Sequence, residues 1–389
     1  MLAYIAPIIV FGLVVFVHEL GHFLAAKLVG VYTPRFSIGF GKSLFRKRWG
    51  ETEYIIALLP IGGYVRMASK DDEATAFLEG GAENAVTEVA TKGEPMDPEA
   101  MMPFGPKPIP AHRWFESKPL WARLMILLAG VTMNIALAFV VTTGMFVHYG
   151  SPYLSTKADS LLAGRVGARA GLQSGDSIVA IDGAPIADWE SLVDRISAAP
   201  EVRLTFDVLR DGQRRRIEVT PAADTAFSPA TGRVERVGRI GIVPSQGSKD
   251  VPFAEAVTAG WTTTWRMAWS VMDALKGLAT RRVSASELGG PIMIAQASVQ
   301  AARGGAEQLL FLIALISANL AVMNLLPIPI LDGGQIVISL LEGIKGSAFS
   351  IKTREHILRA GLATVLLLFA LVTYNDLKRL IVSVVQRFG

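Results

Sequence analysis

The apolar run Leu2 to Val17 ends on His18-Glu-Leu-Gly-His22, so three ionisable side chains stand inside a stretch with the length of a membrane helix. A charged side chain at mid-bilayer costs roughly 2.5 to 3.5 kcal/mol, and three ionisable groups within five positions demand a compensating partner. Four-residue spacing puts His18 and His22 on one helix face. Two imidazole nitrogens can there meet one tetrahedral ion, with Glu19 beside them to act on a water that the ion holds. Chance would supply such a pentapeptide in about 0.003 of chains of this composition. A metal is the partner that satisfies all three groups.

Composition points to two environments in one chain. Hydrophobic residues make up 51% of the 389 positions, yet 19% are charged, too many for a chain that lies wholly in lipid. There is no cysteine, which excludes a disulfide framework and a thiolate metal site and leaves nitrogen and oxygen ligands for zinc. Net charge is +4 with the arginines scattered, and no basic tract interleaved with aromatics suggests nucleic acid.

Hydropathy gives four spans of about 20 residues, roughly 3–26, 122–147, 309–331 and 357–374. With their flanks they define segments 1–30, 118–148, 306–334 and, with the C-terminal tail, 356–382. The first lacks a basic leader and a small-residue cleavage site, so we read it as a retained helix. Lys27, Arg35, Lys42, Arg46, Lys47 and Arg48 follow span 1, and Lys345, Lys352, Arg354 and Arg359 mark the turn between spans 3 and 4. Both connections are therefore expected on the cytoplasmic side, with the 148–305 connection outside.

Within 31–70, Arg35 to Phe40 and Glu53 to Leu58 read as strands of a membrane-associated hairpin, the second ended by Pro60 and Gly62-Gly63. An edge strand there could receive an extended substrate. The 71–117 insert carries nine acidic residues and one lysine between Asp71 and Glu99, followed by six prolines from 95 to 110, the composition of a solvated linker. Over 155–222 a turn and strand close on Asp182-Gly183, Asp188 caps a short helix, and Val202, Leu204, Phe206 and Val208 alternate before the Asp211-Gly212 turn. This resembles a bacterial PDZ domain, which would take an extended peptide by strand addition. The 223–305 segment follows, with Trp261, Trp265 and Trp269 at i+4 spacing on an amphipathic helix suited to the membrane interface.

The third span ends in Asn324-Leu-Leu-Pro-Ile-Pro-Ile-Leu-Asp332-Gly-Gly. The two prolines free the backbone from helical pairing, which lipid depth tolerates only where protein or a wet cavity surrounds it. Asp332 is then the oxygen ligand that His18 and His22 lack, with a fourth position left open for water.

Taken together, the His-Glu-x-x-His helix, the Gly-Phe-Gly and Gly62-Gly63-Tyr64-Val65 stretches, a PDZ-like insertion, Gly289-Gly-Pro-Ile292 and Asn324-x-x-Pro-x-Pro-x-Leu-Asp-Gly333 resemble the site-2 protease family of intramembrane metalloproteases, in its bacterial RseP-like branch. That resemblance implies Zn(2+) on His18, His22 and Asp332, Glu19 as acid/base, and Asn324 near the substrate. It implies cleavage in or near the transmembrane segments of single-span membrane proteins, such as a pre-trimmed anti-sigma factor or signal-peptide remnants. It also implies peptide ligands for the PDZ domain, and a bacterial inner membrane with the active site toward the cytoplasm. Against the family pattern, one PDZ unit stands where two are usual, and Val131 replaces the proline of a Gly-Pro-x-x-Asn segment that keeps Gly130 and Asn134. Asn134 is expected to pair across helices, since an amide in lipid seeks a partner. The expected fold is membrane α-helical: four transmembrane helices forming a zinc-protease core, a membrane-associated β-hairpin region and one inserted extracytoplasmic PDZ-like α+β domain. Two other classes are a catalytically silent PDZ scaffold, which would not need Glu19, and a metal transporter, which would show more intramembrane polar residues and internal repeats.

Overall fold

Residues four apart build the first helix. α1 (Ala6–Leu28), with a proline in its first turn, buries Ala6, Val10, Val14, His18 and His22 along one stripe, so its chemical groups lie on the same face as its packing groups. The computed structural model describes residues 2–69, 101–102, 107–228, 233–280, 282, 284 and 289–388. The acidic stretch at 71–99 lies outside the described residues. The chain forms two compact units, one from 1–145 with 254–389 and the other from 146–253.

Four helices of the first unit are long and apolar enough to cross a membrane: Ala3–Leu28, Leu120–Tyr149, Ala306–Asn324 and Lys352–Val382. We label α2 (Leu120–Tyr149), α7 (Ala306–Asn324) and α9 (Ile351–Phe388) accordingly. Val10 and Val14 of α1 pack on Ile313 of α7, and Ala25 and Ala26 pack on Ile126 and Leu127 of α2. The third span is shorter than its sequence suggested. Helix α7 stops at Asn324, and Asp332 opens a separate helix, α8 (Asp332–Lys345), because Pro327 and Pro329 lack the amide hydrogens that would carry α7 onward.

α5 (Phe253–Ala279) is the helix that carries the three spaced tryptophans. It runs along α2 and α7: Thr142 Oγ1 lies 3.1 Å from Gly260 O and 3.0 Å from Thr264 Oγ1, and Met267 is buried with Ala138, Ala314 and Ala318. Hydroxyl and small side chains supply this packing, as they do between helices in lipid, where apolar surface alone gives no drive to associate. Trp261, Trp265 and Trp269 remain about half exposed on its outer face. α6 (Pro291–Gly304) follows, and its open amides are capped from α9, where Asp376 accepts from Gly290, Ile292 and Met293, each at 3.0 Å.

The hairpin is longer than the sequence signals implied. β1 (Arg35–Trp49) and β2 (Thr52–Arg66) meet at the Gly50-Glu51 turn. Segment 35–38 of β1 is paired on one side with 53–56 and on the other with 63–66. Pro60 and Gly62 therefore bend β2 instead of ending it, with Gly62 at φ 118°, a conformation closed to most residues. Among the described residues, segment 63–66 pairs as a strand only with 35–38, and its Val65 amide donates instead to Glu19.

The second unit is an α+β body. Strands β3 (Ser151–Leu161), β4 (Ser177–Ile181), β5 (Leu204–Arg210), β6 (Gln213–Val219) and β9 (Ile242–Lys249) form an antiparallel sheet ordered β9-β3-β4-β5-β6. Between them come α3 (Val166–Arg169), α4 (Trp189–Ser197) and a separate hairpin of β7 (Ala222–Ser228) and β8 (Arg233–Arg239). Ile178, Ile181, Phe206, Val208 and Val219 of the sheet close over Leu192 and Ile196 of α4. The sheet reaches beyond 155–222, since β9 pairs back on β3 and sets Lys249 opposite Ser151.

Asp176 anchors this unit electrostatically. It is fully buried and accepts from Arg210 Nε at 2.7 Å, Arg210 Nη2 at 2.8 Å and Gln173 N at 2.9 Å. Burial pushes its carboxyl up, but the Arg210 bonds, the Gln173 amide and the charges of Arg210 and Arg215 outweigh that and hold it below 3.8. A depressed native value stabilises the fold fully above 3.8, and that contribution fades as pH falls further through the native value. We expect Asp176→Ala to lower the unfolding midpoint of the unit, because the half-buried Arg210 would lose its counter-ion and the Gln173 amide its acceptor. Denaturant unfolding of the unit at pH 7 and pH 3 measures this, and the gap between variant and parent should narrow at the lower pH.

Candidate active site

His18 and His22, one turn apart on α1, bring their Nε2 atoms to 3.1 Å of each other. Asp332, at the head of α8, places Oδ2 3.2 Å from His18 Nε2 and Oδ1 3.4 Å from His22 Nε2. One ligand atom from each of the three lies within 4.8 Å of the others, and both histidines are buried. The structure thus brings together the three residues that the sequence nominated, across more than three hundred positions.

Neighbouring groups fix the ring orientations. His22 Nδ1 is 2.8 Å from Ile126 O, so it carries the hydrogen and leaves the Nε2 lone pair facing inward. His18 Nδ1 is 3.4 Å from the Asn134 carboxamide, whose Oδ1 is buried without a partner. Turning that amide over sets Oδ1 against the His18 Nδ1–H and leaves its Nε2 lone pair inward as well. Two imidazole lone pairs and a carboxylate then face one another with no hydrogen between them, and Asp332 Oδ2 is itself buried and unsatisfied. Three such acceptors repel unless a cation sits among them, and the nitrogen and oxygen donor set suits zinc.

Glu19 and Asn324 share the same cavity. It has a volume of about 440 Å³ and is lined by His18, Glu19, His22, Asn324, Asp332 and Gln335, with Val65 and Met67 of the hairpin region at its wall. Glu19 Oε2 accepts from Val65 N at 3.2 Å, so segment 63–66 touches the candidate base directly. Asn324 Nδ2 stands 3.0 Å from His18 Nε2. An acid, an amide and a candidate cation site on one cavity can deliver water to a carbonyl and move its proton.

The profile of peptidase family M50 matches residues 6–368. The chain belongs to that family. A zinc metalloprotease RasP of Bacillus licheniformis is 32% identical over 97% of this chain and 99% of its own length. The regulator of sigma-W protease RasP of Bacillus subtilis is 31% identical over 97% of this chain and 98% of its own. Among solved structures, the PDZ domain of an SdrC-like protein from Listeria innocua covers 25% of this chain and 99% of its own at 16% identity, with a TM-score of 0.19, too low to bear on the fold. The M50 match agrees with the family that the motifs pointed to and with an enzyme over a scaffold or a transporter.

Two residues beside the histidines were given no place at the site by the sequence. Asn134 was expected to pair across helices, and its partner is His18 itself. Gly130, one turn earlier on α2, lies against both rings: a Cβ built on it would stand 2.4 Å from His22 Nε2 and 2.7 Å from His18 Cε1. Their four-residue spacing on a membrane helix was the available signal, but spacing alone does not say which helix the pair faces.

Proposed function

We propose that this M50 peptidase hydrolyses peptide bonds in or beside the transmembrane segments of single-span membrane proteins, with zinc held by His18, His22 and Asp332 and with Glu19 as acid and base. The meeting of three ligand atoms from α1 and α8 beside Glu19 on one cavity carries the reading. When bound, zinc supplies Lewis acidity toward water and toward the scissile carbonyl. Glu19 takes a proton from the attacking water and later gives it to the leaving amine. Its Oε2 is engaged by the Val65 amide, which leaves Oε1 for that proton. Asn324 offers an amide hydrogen to the substrate carbonyl from the end of α7.

A peptide inside a membrane helix is shielded by its own hydrogen bonds, so it must be drawn out before attack. Beyond the Val65 bond to Glu19, segment 63–66 pairs with no second strand among the described residues, and strand addition on that side would lay the peptide past Glu19. In the second unit, a groove of about 440 Å³ between Trp189, Val193 and Ile196 of α4 and residues 237–242 supports the PDZ reading and a second extended peptide. The basic connections after α1 and after α8 support a cytoplasmic face for the catalytic cavity and an outer face for the second unit. We place anti-sigma-type membrane proteins already trimmed outside, and signal-peptide remnants, in its substrate class, and the similarity to a regulator of sigma-W protease supports the first of these.

Asp332→Asn tests the ligand set, since it keeps the shape of the side chain and removes its charge. We expect zinc retention against a chelator to fall about tenfold or more, and cleavage of a tagged single-span reporter to fall with it. Parental retention in this variant would remove Asp332 from the ligand set.

A further inference from the structure

The position of Asp332 depends on how α8 docks, because the irregular 325–331 stretch separates α8 from α7. Ten residues beyond Asp332, about 15 Å along the helix, Glu342 is buried with its side chain 2% exposed. Its Oε2 accepts from Arg123 Nη1 of α2 at 3.0 Å, and its Oε1 accepts from Arg354 Nη2 of α9 and from Phe349 N, both at 2.7 Å. Arg354 Nη1 also reaches Glu116 Oε1 at 3.2 Å. Two acids and two bases thus meet out of solvent at one end of the bundle.

Such a network is a poor source of net stability, because desolvation consumes most of the attraction, but its directed bonds specify register. Register is what the metal site needs at this point. Arg123 lies one turn before Ile126, whose carbonyl orients His22, and two turns before Gly130, which backs both rings. The apolar contact of Ile336 with the Ile126 and Leu127 cluster holds α8 to α2 without direction, whereas the Glu342–Arg123 bond has one.

We infer that Glu342 is a positioning residue for the metal site: through Arg123 it sets the helix that carries Asp332 against the helix that supports His18 and His22. This rests on the reading of those three residues as the zinc ligands. The arginines provide an internal contrast, since Arg123 links α8 to the wall behind the histidines and Arg354 links it to α9, which supports neither.

The test uses the full chain in detergent, as parent, Glu342→Gln, Arg123→Gln, Arg123→Lys, Arg354→Gln and Asp332→Ala. Zinc release to a chelator, the visible spectrum of the cobalt-substituted protein and the melting temperature of the metal-free protein are recorded. We expect Glu342→Gln and Arg123→Gln to release zinc about tenfold faster and to alter the cobalt spectrum. Arg354→Gln should melt as low as Arg123→Gln while keeping the parental release rate and spectrum, and Arg123→Lys should return toward the parent. Release rates that follow melting temperature alike in every variant would overturn the inference, because the network would then be structural only. Should Glu342→Gln fail to fold, the contrast between Arg123→Gln, Arg123→Lys and Arg354→Gln decides the matter. If Asp332→Ala loses its metal while Glu342→Gln and Arg123→Gln hold theirs, positioning fails and the ligand set stands. If Asp332→Ala keeps its metal and spectrum, the ligand set fails and the inference with it.

Discussion

Glu19→Gln is expected to slow cleavage of a single-span reporter in membranes about 10²- to 10⁴-fold while leaving bound zinc unchanged. Glutamine has nearly the same shape and keeps an oxygen to accept the Val65 amide, so the wall of the cavity formed by 63–67 should stay in place. What it loses is the ability to take a proton from water and return it to the amine. Because the proposed zinc ligands are His18, His22 and Asp332, the substitution removes no atom from that set. Rate and zinc content must therefore separate, and they are measured together by reporter cleavage and elemental analysis of the same preparation. Cleavage at the parental rate would exclude Glu19 from proton transfer, and loss of zinc together with rate would make it a ligand.

Gly130→Ala is expected to reduce both zinc retention and cleavage, the latter about 100-fold, although the methyl group touches no substrate. The added carbon would stand 2.4 Å from His22 Nε2, well inside contact distance, and 2.7 Å from His18 Cε1. Neither ring can yield freely, since His22 is tied to the Ile126 carbonyl and His18 adjoins the Asn134 carboxamide. Relief must come from a shift of α1 against α2 or from rotation of the rings off their shared focus, and a displacement near 1 Å at a reacting centre costs about 10²-fold. The stability cost of such overpacking is about 1 to 3 kcal/mol, small enough for the variant to fold. A folded Gly130→Ala protein with parental zinc retention would show that the rings have room that the geometry denies.

Much of the site was legible because its chemistry is written at short range. Two histidines four apart declare a shared face, and a carboxylate behind two prolines at the end of an apolar run declares an exposed oxygen at depth. The bend at Gly62 was not legible: Pro60 and the glycine pair signal an end to a strand, and whether the chain stops or folds back along 35–38 is decided by what lies on the other side of it. What α5 packs against escaped for a similar reason. Its tryptophans describe one face well, but Thr142, Thr264 and Met267, which draw the other face against α2 and α7, look unremarkable until the helices that receive them are in place. The same holds for Glu342, whose partners lie at 123 and 354.

The pairing of Ser151 with Lys249, and the contact of Thr142 with Gly260, show that the chain leaves the helical bundle and re-enters it between neighbouring points. To the membrane unit, some hundred residues are therefore a loop with closed ends, and loop closure depends only weakly on loop length. The inserted unit has the topology of a cassette: it can be enlarged, duplicated, exchanged or reduced to a turn without asking α2 and α5 to part. Change in the inserted unit can thus accumulate while His18, Glu19, His22 and Asp332 stay within the other.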